Sequence, residues 1–350
     1  MGRVTLQTIA DRVGVSRMTV SNAFSRPDQL SPTLRDRILA VADELGYVGP
    51  DPAARALARG TVGAVGLLLT DTLSGAFADE VATTFLGAIA DELAPTGLGL
   101  TLLSTATSGG VVPARDVAMD GALVYSCDPE STAVEWLLRR KIPLVFIDQI
   151  PADGVPAVNV ADREGARAAA QHLVDLGHRR IGIVTAGVRG AHGLVAPDDI
   201  IDGFVGTHRL LGWLDALTPA GIEPAIARRP HGDPESGYQA ARLLLEAPQP
   251  PTAILCFSDA MAQGVVSAAA DAGLSVPEDL SVVGFDDSPG SARLRPPLTT
   301  VRQDIQAKGH AAAAALTQSI EAARNDTPAP AGHLCLPTEL IVRASTARPR

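Results

Sequence analysis

The chain has 350 residues, 46% hydrophobic and 19% charged, a composition that suits a globular protein with a sizeable core and a length that suits a small module beside a larger bilobed one. No run approaches the roughly eighteen apolar residues of a membrane span, and MGRVTLQTIADRVG lacks a signal peptide's apolar stretch, so the expectation is a cytoplasmic protein with no membrane partner. The net charge of -10 is unevenly divided: residues 1–60 carry eight Arg against six acids, a balance of +2, and the remainder carries -12, which repels DNA wherever contact is not wanted.

Leu6, Ile9, Ala10 and Val13 recur at helical spacing and form one apolar face, with Thr5 before them as an N-cap. Gly14 breaks the pattern, and Ser16 is positioned to cap a second helix. Val15 and Val20 can pack back onto the first helix, which leaves Arg17, Met18, Thr19, Ser21 and Asn22 largely free. Two short helices joined by a Gly-containing turn predict a helix-turn-helix, whose second helix fits the major groove of double-stranded DNA. On these residues alone, an ordinary αα-hairpin with a solvated face is the alternative. Arg26 to Leu30 link to a third helix, LRDRILAVADEL, opened by Ser31-Pro32 and ended by Gly46. Residues 52–59, PAARALAR, are too few for a stable isolated helix and read either as a segment that folds on DNA or as a solvated linker.

From Val62 the pattern changes. VGAVGLLLT is a short continuous apolar run, as in a strand buried on both faces. A helix over about 77–94 follows, then strand GLGLTLLS, a helix, strand GALVYSC, helix VEWLLRRK and strand PLVFID. A second set begins near Asp162: helix REGARAAAQHLVDLG, strand RIGIVTA, helix 208–220, a strand near 226–230, helix 235–246, strand AILCFSD, helix 260–272 and strand SVVGFDD. Such alternation predicts an α/β fold with two lobes, each a parallel sheet flanked by helices, and a ligand cleft at the strand C-terminal ends. Cys127, Cys256 and Cys335 show no metal spacing and are expected as small core residues. The seven His are scattered, so no metal and no cofactor is expected. No G-x-G-x-x-G, G-x-x-x-x-G-K-[ST] or G-x-S-x-G motif appears, so an enzyme is not expected.

The words TLQTIADRVGVSRMTVSNAFS, LSPTLRDRILAVADELGY and PAARALARG resemble, in order and spacing, the N-terminus of the LacI/GalR family of bacterial transcription regulators. The resemblance continues through LGHRRIGIV, PESGYQAARLLL, PTAILCFSDAMAQG, VPEDLSVVGFDDS and LTTVRQD. It implies an all-α DNA-binding headpiece over 1–50, a hinge helix and linker over 51–61, and a periplasmic-binding-protein-like effector and dimerisation core over 62–345. Within that core, lobe 1 would span about 62–160 plus 303–324, and lobe 2 about 161–302 plus 325–345. It implies a repressor that binds a palindromic operator as a homodimer. A small-molecule effector in the cleft, a sugar first and a nucleoside or purine second, would reorient the lobes and so change the spacing of the hinge helices. A transporter's solute-binding protein shares the bilobed body, and residues 1–60 argue against it.

By the same resemblance, Arg17, Met18 and Asn22 occupy base-reading positions, and Arg17 can pair bidentately with guanine. Thr5, Thr8, Ser16, Thr19 and Ser21 suit phosphate contacts, which set register rather than sequence. Leu57 stands at the position of the leucine that wedges into the minor groove, with Ala54 and Arg55 beside it. For the cleft, Asp71, Asp148, Asp259 and Asp286 each follow a predicted strand and can accept hydrogen bonds from hydroxyls; capping or bracing roles are the alternative, above all for Asp259. Phe77 matches an aromatic that stacks on the effector, and Arg209 and Trp213 fall where the family usually carries an effector-contacting Arg. Two departures stand out: the 187–208 segment is longer than the family norm, and Val160-Ala161 replaces a frequent Asp-Asn/Asp pair.

Overall fold

The computed structural model describes residues 4–49, 51, 56, 60–69, 73–105, 111–126, 131–199, 203–328 and 332–350. Asp71, Cys127 and the residues expected in the hinge, Ala54, Arg55 and Leu57, lie outside the described residues. The chain divides into two compact units, residues 1–63 and 64–350.

The first unit is three helices: α1 (Leu6–Val13), α2 (Arg17–Ser25) and α3 (Pro32–Glu44). Each is opened by a hydroxyl that accepts a backbone N–H one turn on: Thr5 from Thr8 at 3.3 Å, Ser16 from Thr19 at 3.0 Å, Ser31 from Leu34 at 3.4 Å. Thr8 returns the bond by accepting the Thr5 N–H, which closes a capping box. Gly14 (φ +77°) supplies the left-handed turn between α1 and α2, a conformation that costs a side-chain-bearing residue. Ile9, Ala10, Val13, Val20, Ala23, Ile38 and Ala42 form the core, and Phe24 closes edge-on against Tyr47 at 5.7 Å.

The second unit holds two sheets. Strands β1 (Ala64–Leu69), β2 (Gly99–Ser104), β3 (Ala122–Tyr125), β4 (Leu144–Ile147) and β5 (Ala157–Val160) form an all-parallel sheet in the order β5-β4-β3-β1-β2. Alternation along β1 splits its side chains between two layers. Val65, Leu67 and Leu69 pack with Phe85 and Ile89 of α5 (Glu80–Leu93), while Leu68 packs with Ala133 and Leu137 of α7 (Thr132–Arg140). The helix expected over 77–94 is two, α4 (Leu73–Ala78) and α5, because the Asp79 carboxylate accepts the Val81 N–H and restarts the helix. The short α6 (Pro113–Asp116) lies between β2 and β3.

The chain then enters lobe 2. In order come α8 (Asp162–Leu176), β6 (Ile181–Ala186), β7 (Gly193–Val195), α9 (Phe204–Leu217), β8 (Ala225–Arg229), α10 (Pro234–Leu245), β9 (Ala253–Cys256), α11 (Asp259–Asp271), β10 (Ser281–Asp286) and β11 (Thr299–Gln303). The second sheet runs β11-β10-β9-β6-β8-β7, with α8 and α9 packed on one face and α10 and α11 on the other. The long segment after β6 forms β7, an edge strand antiparallel to β8, with Leu194 opposite Ala227. Helices α8 and α9 cross closely at Gly212, where an added Cβ would lie 2.2 Å from the Arg163 carbonyl oxygen.

The final crossings differ from the expected division. Helix α12 (Ile305–Arg324) returns to the first lobe and packs its Ile305, Ala312 and Leu316 against Phe85 and Leu123. β12 (His333–Leu336) stays there, parallel to β5, with Leu334 opposite Val158. Only β13 (Thr338–Ile341) joins the second sheet, antiparallel to β11. Residues 325–345 were expected wholly in lobe 2; instead the open edge of β5 captures β12, which satisfies backbone groups that an edge strand would leave bare. Its edge position also exposes Cys335, so this thiol is not the core residue expected, whereas Cys256 is buried.

Candidate functional sites

On the first unit, the capped N-terminus of α2 presents Arg17 and Met18 outward. Met18 is 74% exposed, an unusual surface position for a large apolar side chain, and Arg17 is exposed beside it. The Ser16 and Thr19 hydroxyls lie 2.8 Å apart at the same helix end, where unpaired N–H groups and the helix dipole favour an anion. Asn22 is half-buried and donates its amide to Gln29 at 3.1 Å. Thr5 and Thr8 are exposed at the N-terminus of α1, and Ser21 is partly exposed in the middle of α2. The Arg37 guanidinium donates to the Val13 carbonyl at 3.0 Å, which ties α3 to the end of α1.

In the second unit, one chain of buried polar groups runs from lobe to lobe. Asp148, just past β4, accepts from the Lys308 ammonium at 2.6 Å. Lys308, on the first turn of α12, also donates to the Gln303 side-chain oxygen at 2.8 Å. The Gln303 amide, at the end of β11, donates to Asp286 at 2.7 Å. Asp286 lies 3.5 Å from the Arg209 guanidinium, which donates to Asp162 at 2.8 Å and to the Phe257 carbonyl. Arg209 stacks on the Phe285 ring, 3.6 Å from its centroid, so its flat face is covered while its edges bind oxygen. All six side chains are buried.

Asp148 (φ +53°) and Asp286 (φ +118°) hold backbone conformations that a side-chain-bearing residue rarely adopts. Strain of this kind persists only where the surroundings enforce it, and it gathers at binding sites. Burial pushes Asp286 up to about 6, against the pull of Arg209 and Gln303, which favour its charged form. Burial, followed by the nearby charge of Asp286, pushes Asp259 up to about 8. Burial alone would lower Lys308, but Asp148 at contact distance raises it above the ordinary lysine value, which favours the charged ammonium.

These features match known proteins along the whole chain. Residues 5–49 match "Bacterial regulatory proteins, lacI family", and residues 170–346 match "Periplasmic binding protein-like domain". The HTH-type transcriptional regulator IpsA of Corynebacterium glutamicum is 37% identical over 335 residues, covering 91% of both chains. The chain belongs to the LacI family of transcriptional regulators. Among solved structures, a transcriptional regulator CelR–cellobiose complex shares 29% identity over 98% of this chain and 100% of its own, with a TM-score of 0.69. The lac repressor dimer bound to operator and the anti-inducer ONPF shares 26% identity over 99% and 100%, with a TM-score of 0.80.

In this LacI-family chain the cleft residues read from the sequence separate into groups. Asp148, Arg209 and Asp286 meet in one network. Asp259 lies below them: its two oxygens accept from the Thr300 hydroxyl at 2.5 Å and the Ser288 N–H at 2.7 Å, so it braces the turn after β10. Trp213 is a correction. It is 1% exposed within the lobe 2 core, because one turn beyond Arg209 helix α9 has moved from the strand ends to the sheet face. Phe77 is 62% exposed on α4. Asp162, Gln303 and Lys308 were not anticipated. Lys308 shares the helical face of Ile305, Gly309, Ala312 and Leu316, and a lysine in that apolar phase was the available signal.

Proposed function

We propose that this regulator is a repressor that binds a palindromic operator as a homodimer and is controlled by a small-molecule effector, a sugar, between its lobes. The observation that carries the DNA reading is the capped α2 with Arg17 and Met18 exposed side by side at its N-terminus. Arg17 reads a guanine, Met18 packs on a thymine methyl, and Asn22 gives up Gln29 to take an adenine or a phosphate. Thr5, Thr8, Ser16, Thr19 and Ser21 hold phosphates and set register. Residues 51–61 act as the hinge, with Ala54, Arg55 and Leu57 in the minor groove; two-fold pairing of hinges requires the dimer. Its site of action is the cytoplasm, on the chromosome.

The effector reading is supported by the buried Asp148-to-Asp162 network at the strand ends, where α/β lobes bind ligands, and by the cellobiose complex of a similar regulator. A nucleoside is the second reading, favoured by Phe77, whose exposed ring offers a stacking face for a base.

Selection of bound sequences from random duplex DNA by the full chain tests the DNA reading. The expected result is a palindrome whose half-sites lose definition at one position in Arg17→Ala, with about 1–3 kcal/mol lost at that base pair. Enrichment of no sequence, or of an asymmetric one, would reject it.

A further inference from the structure

The turn between β10 and β11, residues 287–298, is held from two sides. From lobe 1, Glu80 accepts from the Gly290 N–H at 2.8 Å and from Arg293 at 2.9 Å. From the other side, the chain past β13 reaches the turn with one side chain. The Arg343 guanidinium donates to Asp287 at the start of the turn, to the Ser291 hydroxyl at 3.2 Å and to the Leu298 carbonyl, at its end, at 2.8 Å. A guanidinium suits this task because its five N–H donors point in fixed, divergent directions. Asp287 also accepts from Arg302 at 2.7 Å. Burial works against its charge, yet Arg343 and Arg302 hold its carboxyl below the usual aspartate value.

Arg343 can brace the turn only if it is itself fixed. Residues 343–350 belong to no helix or strand, and chain ends of that kind commonly fray. Here the tail is bonded along its length. The Arg343 N–H donates to the Thr299 hydroxyl at 2.9 Å, and the Ala344 N–H to the Pro297 carbonyl at 3.0 Å. Ser345 is fully buried; its hydroxyl donates to the Val282 carbonyl at 2.6 Å and accepts the Thr299 N–H at 2.8 Å. The Ala347 N–H donates to the Ser281 hydroxyl at 3.0 Å, and Arg350 pairs with Asp279 at 2.9 Å. These partners include the first residues of both strands that the turn connects, so the tail is anchored to lobe 2.

We propose that Arg343 of the C-terminal tail is a positioning residue that braces the 287–298 turn against Glu80 and so makes the turn a clasp between the lobes. A braced turn does not yield, so the lobes part only when the Glu80 bonds to Gly290 and Arg293 both break. An unbraced turn gives way and lets lobe 2 swing while those bonds persist. The clasp concerns the contact between the lobes, and it stands whatever the effector is.

The test reads the distance between the lobes in the full chain, with no effector or operator present. Spin labels at Thr132→Cys on α7 and Ser267→Cys on α11, both exposed positions, report it when labelled chains are diluted into unlabelled ones. Cys127→Ser and Cys335→Ser remove competing thiols, and the buried Cys256 stays. Glu80→Gln and Arg343→Gln are each expected to raise the population of longer distances about fivefold, the ratio that an exposed ion pair can hold. The double variant should open no further than the more open single one, because both changes release the same clasp. A wild-type distribution in either single variant, or a double variant that opens by the product of the two effects, overturns the inference.

Arg343→Lys keeps the test decisive if Arg343→Gln does not fold. A lysine retains the charge and can pair with Asp287, but it has no fork to span Ser291 and Leu298 as well. Its open population should lie between those of wild type and Arg343→Gln. Amide exchange over residues 287–298 should quicken in both Arg343 variants, and unaltered exchange there overturns the brace. A lower melting temperature with wild-type distances in the folded Arg343 variants would show that the tail only packs lobe 2, and would overturn its role in the clasp.

Discussion

At the scale of single residues, Asp259 makes a pH prediction with a definite sign. Its carboxyl is raised to about 8 by burial and by Asp286, whereas the unfolded chain would release that proton near the ordinary value of 3.8. The native state therefore binds the extra proton, and this contribution to stability is full below about 4 and is lost as pH rises through about 8. His172 and His178, both held below their ordinary value by burial, act in the opposite direction up to about 6.5 and are neutral in both states above it. Between about 7 and 8 the histidines no longer contribute and Asp259 does. The wild-type melting temperature should fall across this range, and Asp259→Asn, uncharged throughout, should flatten the slope. An unchanged slope in the variant would mean that Asp259 is already ionised beside Ser288 and Thr300.

At the scale of elements, two close approaches support the site from outside it. Gly212 lets α9 lie against the Arg163 carbonyl, one residue beyond Asp162, and so sets the distance that Arg209 must span. Gly212→Ala forces that crossing apart, with an expected loss of about 1–3 kcal/mol in unfolding free energy. Effector binding should weaken by more than global stability explains, a comparison that calorimetry beside denaturant melts would make. The second approach joins the lobes. Glu80, at the start of α5, accepts from Arg293 at 2.9 Å and from the Gly290 N–H at 2.8 Å, both in the turn after β10. The pair is largely exposed, so Glu80→Gln should cost no more than about 1 kcal/mol. Amide exchange over residues 288–294 should nevertheless quicken; unaltered protection there would mean that other contacts hold this turn.

Legibility in the sequence followed the range of the interactions. Caps and apolar phase are local, so Thr5, Gly14 and Ser16 marked α1 and α2 correctly, and the continuous runs at 64–69 and 144–147 read as buried parallel strands. Asp148 and Asp286 are legible as candidates because a carboxylate at the end of such a strand is a local feature. Lys308 and Asp162 were missed because their partners stand 160 and 47 residues away, so only the fold brings the charges together. The fate of β12 was hidden for a related reason: which sheet edge it joins depends on the open side of β5, and no pattern within HLCL distinguishes the two edges. Trp213 misled because a resemblance at Arg209 carries no information about the direction of a side chain one turn later.

For the whole molecule, control requires that the two lobes sense each other, and the structure offers a narrow route for this. Gln303 ends the last lobe 2 strand before the crossover, yet its side-chain oxygen binds Lys308 in lobe 1 while its amide binds Asp286 in lobe 2. A ligand that bonds Asp148 in lobe 1 and Asp286 in lobe 2 would touch both ends of this bridge. Coupling between effector and operator is a free energy shared by both binding steps, typically about 1–3 kcal/mol, and thermodynamics makes it equal in the two directions. Effector affinity measured with and without operator should thus change by the same factor as operator affinity with and without effector. Gln303→Leu removes both hydrogen bonds and leaves Lys308 with Asp148 and Asp286 with Arg209. Its operator affinity without effector should stay within about threefold of wild type, a change well under the typical coupling energy, while the coupling factor falls towards one. A variant that still binds effector and keeps the full factor would place the communication elsewhere, with the Glu80 contact to the turn at 290–293 as the next element to cut.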